Sequence, residues 1–101
     1  EIPSGKTIAA NGYFLISNYP SNNSNIADTI TPDVVGASVS LSNTKLQIKL
    51  YDGQWDAGAT LIDTADDGVG APAAGSNDTP KKSMVRKSDP GDGTDPANWY
   101  T

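Results

Sequence analysis

Lys45-Leu46-Gln47-Ile48-Lys49-Leu50-Tyr51 alternates apolar and polar side chains without a break. Successive residues of a strand point to opposite faces, so Leu46, Ile48 and Leu50 share one side and Gln47, Lys49 and Tyr51 the other. A helix would need its apolar residues three and four apart, which this stretch does not offer. The pattern predicts a half-buried β-strand with one apolar side pressed against a second layer. Just upstream, Ala37-Ser38-Val39-Ser40-Leu41 alternates too, with Val39 and Leu41 inward. The polar link Ser42-Asn43-Thr44 predicts a hairpin between the two, with Asn43 taking the left-handed turn conformation.

Further out, Tyr13-Phe14-Leu15-Ile16-Ser17 follows the turn pair Asn11-Gly12 and is apolar on both faces. Such a run predicts a central strand covered on both sides. Shorter strands are expected at Lys6–Ile8, Thr60–Thr64 and Ser83–Arg86. Asn/Ser-rich residues 18–25, the Trp55-bearing residues 52–59 and the Gly/Ala/Pro-rich residues 66–80 read as loops, the last as a mobile one. No repeat of about 20 to 50 residues is present.

Composition agrees with an all-β chain. Hydrophobic residues make up 36% of the 101 positions, with ten Gly and seven Pro as breakers. One core of ordinary size accommodates about 50 to 200 residues, so a single domain spanning 1–101 is expected. Eleven of the twelve acidic residues are Asp, which bonds nearby backbone N–H groups and favours turns, whereas only Glu1 is the helix-favouring acid. The net charge of −5 repels phosphate backbones and argues against nucleic-acid binding. Cysteine and histidine are both absent, which removes disulfides, thiolate chemistry and the commonest general base and zinc ligand. No run of about 18 apolar residues exists to insert into a membrane.

Taken in order, several segments resemble the lamin tail domain. They are Ile8-Ala9-Ala10-Asn11-Gly12-Tyr13-Phe14-Leu15-Ile16, Ser40-Leu41-Ser42-Asn43, Leu46–Asp52, Leu61-Ile62-Asp63-Thr64, Lys82–Lys87 and Asp92–Trp99. The resemblance covers nearly the whole chain. It implies an immunoglobulin-like, mostly antiparallel β-sandwich without catalytic residues of its own. It also implies that this chain is the C-terminal two-thirds of the fold, because the family's opening strands have no counterpart before Glu1-Ile2-Pro3. An incomplete sandwich exposes strand edges and apolar faces. A partner protein, a cleaved segment or a second copy in a homodimer is therefore expected to supply the missing strands. Among members of this kind, a bacterial extracellular or cell-surface module fits the Asn/Ser/Thr/Asp-rich loops. A nuclear one does not, since Lys81, Lys82, Arg86 and Lys87 are separated by strand residues.

Each motif has a plainer account beside its functional one. Ser4-Gly5-Lys6-Thr7 imitates the end of a phosphate-binding loop but lacks both the upstream glycine and the helix that must follow. Asp89, Asp92 and Asp95 stand three apart in a Gly-rich loop and are weak candidates for calcium, and no other cofactor is expected. Calcium takes about six to eight oxygens and its loops space acids two apart, so paired Asp-capped turns describe the segment better. Asp63, Asp66 and Asp67 form a second acidic cluster with the same reading. Tyr51 and Trp55 are the candidate ligand surface, aromatic residues beside Asp52, Gln54 and Asp56, although a loop Trp more often folds back as a lid over the core. Trp99 is expected to pack structurally, with Arg86 lying across it or pairing with Asp63. Asn22 and Asn77 satisfy the glycosylation pattern through loop composition alone. No residue pair marks an active site, and no enzyme activity is expected. The expected function is thus a structural or protein-interaction module. The alternative is a carbohydrate- or calcium-dependent binding module attached to a secreted hydrolase, and the residue of a hydrolase itself is the third reading.

Overall fold

The computed structural model describes residues 1–101. All regular structure is strand or single-turn 3-10 helix, with no α-helix. The contacts divide the chain into two compact units, Glu1–Ser40 and Leu41–Thr101.

In the first unit, β1 (Ile16–Ser17) pairs in parallel with β2 (Val34–Val35). Side chains hold this short pairing in place of a longer ladder. The Leu15 amide donates to Asp33 Oδ2 at 2.7 Å, while the Asp33 amide donates back to the Leu15 carbonyl at 2.9 Å. Asn18 acts like a strand residue toward Val39: its Nδ2 donates to the Val39 carbonyl and its Oδ1 accepts from the Val39 amide, both at 2.7 Å. The expected central strand is therefore reduced to two residues. Its faces are not covered, since Tyr13 is wholly exposed and Ile16 is 44% exposed. Lys6–Ile8 forms no strand.

In the second unit, β3 (Ile48–Tyr51) pairs antiparallel with β4 (Leu61–Ala65), the register shifting between Leu50 and Tyr51. The intervening loop is closed where the Thr60 amide donates to Asp52 Oδ1 at 2.7 Å and the Asp52 amide to the Thr60 carbonyl. Inside it, a turn of 3-10 helix at Trp55–Ala57 ends on Gly58, whose φ of 85° is the left-handed region open to glycine. The last strands, β5 (Val85–Arg86) and β6 (Trp99–Tyr100), are also antiparallel.

Three expectations are corrected here. The partner of residues 48–51 is β4, not Ala37–Leu41, because the nine-residue loop closed by Asp52 brings Leu61–Ala65 alongside. Asn43 is absent from the residues with positive φ, which are Asn11, Ser38 and Asp66 besides glycines. The Ser42 hydroxyl instead accepts from the Thr44 and Lys45 amides and makes that turn without left-handed backbone. Finally, Ile48 and Leu50 are 47% and 43% exposed, and no hydrophobic side chain is buried. The cause is that each sheet stops at two strands, and a two-stranded ribbon has no second layer to cover its apolar side.

Residues 66–80, expected as a free loop, are tied down at several points. The Gly75 amide donates to Thr101 Oγ1 at 2.9 Å, and Ser76 and Lys82 exchange both backbone hydrogen bonds at 3.0 Å.

Candidate functional site

The best-organised part of the second unit is polar, and it centres on two residues brought in from β4 and β5. Asp66, directly after β4, is only 4% exposed. Its backbone takes φ = 65°, a conformation that Asp tolerates better than most side chains. This turn folds the carboxylate back onto the chain, where Oδ1 accepts from the Asp67 amide at 2.8 Å and Oδ2 from the Ala73 amide at 2.9 Å. The Asp66 amide donates to the Gly93 carbonyl at 2.9 Å. Gly93 is buried there because only a residue without Cβ fits, since a methyl group at that position would run into the Thr64 carbonyl oxygen.

Beside this knot, Arg86 reaches three partners at once. Nη1 donates to and pairs with Asp63 Oδ2, and Nη2 donates to the Gly91 carbonyl. The guanidinium carbon lies 5.5 Å from the centre of the Trp99 ring, within cation–π range. Trp99 in turn donates from Nε1 to the Gly93 carbonyl at 2.9 Å. Arg86 thus both pairs with Asp63 and lies across Trp99. Its Nε is buried without a partner. Leu61, Ile62, Asp63, Arg86, Gly91 and Thr94 line an open groove of about 570 Å³ along one side of this cluster.

The carboxylates along the groove are committed to neighbours. Asp63 Oδ1 accepts from the Thr64 amide at 2.9 Å, opposite the Arg86 pair on Oδ2. Asp92 Oδ1 accepts from the Thr94 amide at 2.9 Å and the Thr94 hydroxyl at 2.8 Å. These two hydrogen bonds, the backbone one foremost, hold the Asp92 carboxyl below the usual carboxylate range. Asp95 caps a 3-10 turn by accepting from the Ala97 amide at 2.9 Å. Asp92 and Asp95 therefore serve as turn acceptors, each bond turning its carboxylate toward its own following residues, and Asp89, Asp92 and Asp95 form no common cluster. Of the second cluster, Asp66 is inward, while Asp67 accepts from the Val69 amide at 2.7 Å in its own turn.

Tyr51 is half-buried at the end of β3, and Trp55 is 71% exposed on its 3-10 turn. The lid expected of Trp55 is not formed, because this unit has no apolar core beneath that turn for the ring to cover. Trp99 stands over Arg86 and Gly93 and not over a sandwich interior.

Sequence reading placed Asp66 in an acidic cluster of turn-capping residues without its burial, and it passed over Gly93; these are the two positions most deeply placed in this cluster. Asp66-Asp67-Gly68 carried a signal in retrospect, since Asp followed by Asp and Gly is a turn that can turn one carboxylate inward. Gly93 carried none, because a glycine needed for close approach looks the same in sequence as one needed for a loose loop.

No family model, curated protein or solved structure matches this chain.

Proposed function

We propose that this chain is a non-catalytic protein-interaction module of a secreted or cell-surface protein, and that its apolar strand faces complete a sandwich-like core only against a protein partner. The observation that carries the reading is the state of β3 and β4. Ile48, Leu50, Leu61 and Ile62 are each 43% to 58% exposed on a ribbon with both outer edges unpaired. Exposed apolar side chains on a free-edged ribbon are what strand addition by a partner uses, with main-chain hydrogen bonds giving affinity and alternate side chains giving specificity. The resemblance to the lamin tail domain supports the same reading, since that fold serves contacts and its bacterial members accompany secreted proteins. The committed carboxylates and the ion-paired Arg86 support a scaffold role for the polar cluster.

Site-specific photo-cross-linking tests this. A photoreactive side chain at Ile48 or Leu50, in the chain produced with its native flanks, should capture one discrete protein product, whereas one at Asp28 should not. Equal capture at all three positions, or none at Ile48 and Leu50, refutes the proposal.

A second reading has its own observation, the 71% exposure of Trp55 beside Asp52 and Asp56. An exposed ring flanked by carboxylates is suited to stacking on a sugar. Saturable glycan binding that is lost in Trp55→Ala, with or without added calcium, would establish it over the first.

A further inference from the structure

We propose that a second groove, formed around Leu46 and Met84, docks an acidic protein segment through an apolar anchor side chain flanked by carboxylates. The proposal rests on the interaction-module reading and names the chemistry of one partner. The groove has a volume of about 550 Å³. Its floor is made by half-buried Leu46, Pro72, Ala74 and Met84, and Lys81 and Lys82 stand exposed among the residues that border it.

Two observations choose the occupant. The first is shape and polarity: a concave, mostly apolar lining takes an apolar side chain, since burying it removes that area from water. The second is charge. Lys81 and Lys82 are adjacent cations in a chain whose net charge is −5, and neither has a carboxylate within ion-pairing distance. The one acidic side chain in the lining, Asp78, accepts from the Ser76 hydroxyl at 3.1 Å. The border is thus net positive on an acidic protein. Complementary potentials select partners and set association rates, so a segment with carboxylates beside its anchor is favoured and a basic one is rejected.

The backbone at Lys82 is held in place. Ser76 and Lys82 exchange both backbone hydrogen bonds, which fixes the Lys81-Lys82 pair against the stretch that supplies the far wall. The groove is therefore built into the chain and does not depend on a partner to shape it.

Fluorescence anisotropy with defined peptides tests the proposal. The probe is a blocked, fluorescein-labelled peptide with leucine between aspartates, and its control replaces each aspartate with lysine. The aspartate peptide should bind saturably to the chain and the lysine peptide should not. The Lys81→Glu/Lys82→Glu double variant should lose at least about tenfold in affinity. On the unaltered chain, raising sodium chloride from about 0.05 to about 0.5 M should weaken binding, a check that needs no folded variant. Equal binding of both peptides, salt-independent binding, no binding at all, or full affinity in the double variant overturns the proposal. If the unaltered chain gives the cross-link at Ile48 or Leu50 but does not bind the aspartate peptide, the groove inference falls and the interaction module stands. If that cross-link is missing in the unaltered chain, the broader reading falls whatever the peptides do.

Discussion

Two regions of the second unit, the β3–β4 ribbon and the knot around Asp66 and Arg86, reverse the usual division of labour between apolar and polar side chains. The ribbon has the regular alternation from which a core is normally built, and its Ile48 and Leu50 are nearly half exposed. The knot is made of a carboxylate, a guanidinium, glycines and an indole, and it contains the buried Asp66 and Gly93. The difference teaches that alternation fixes which side chains share a face, while burial requires a second surface facing them. Asp66 brings its own second surface, because its left-handed backbone folds the 66–73 turn around the carboxylate. Ile48 and Leu50 have none within their own sheet.

The sharpest way to break this comparison is to alter one residue from each side of it. Asp66→Ala leaves the Asp67 and Ala73 amides without their acceptor, and hydrogen bonds to a charged group are worth about 1.5 to 3 kcal/mol. It should destabilise the turn by about 2 kcal/mol, read as faster amide hydrogen exchange at Asp67 and Ala73. Leu50→Ser removes an apolar side chain that is already wet, and surface changes of this kind stay within about 0.5 kcal/mol. In the isolated chain, a cost of Leu50→Ser equal to that of Asp66→Ala would erase the distinction.

A smaller effect is expected inside the knot itself. Arg86→Lys keeps the charge but cannot reach Asp63 and the Gly91 carbonyl together, and it offers no planar face to Trp99. Asp63 is 47% exposed, so solvent screens its pair, and about 1 kcal/mol is the expected loss. Trp99 fluorescence, read with Trp55 replaced by Phe, should shift as the guanidinium leaves the ring. An unchanged spectrum would show that Arg86 and Trp99 do not stack in solution.

What was legible in the sequence follows from the same physics. Period-2 patterning located β3, and the segments 60–64 and 83–86 came within a residue or two of β4 and β5, because strand periodicity is a local property. Arg86, Asp63 and Trp99 could be linked because few cations and indoles are available to satisfy one another in this composition. The pairing of β3 with β4 was not legible. It depends on Asp52 closing a nine-residue loop, and nothing in the residues themselves ranks that closure above the shorter Ser42–Thr44 link. The exposure of Ile48 and Leu50 was not legible either, since an apolar stripe reads identically whether its covering layer lies in the same chain or in another.

The smallest expected effect concerns the acidity of Asp92. Asp92 is held low first by the Thr94 amide and then by the Thr94 hydroxyl, with Arg86 adding a weaker attraction and desolvation opposing them. Its folded value lies below its unfolded one, so the charged form is the one the turn favours. The contribution to the Asp92–Thr94 turn is therefore complete above the ordinary carboxylate range and disappears as pH falls through the lowered folded value. Thr94→Ala deletes the hydroxyl donor and keeps the amide, so the Asp92 midpoint, followed by carboxyl carbon NMR, should move part of the way back up. A midpoint that does not move would assign the whole shift to the backbone. Asp92 would then join Asp95 as a turn acceptor independent of its neighbours' side chains, and the polar knot would end at Gly93.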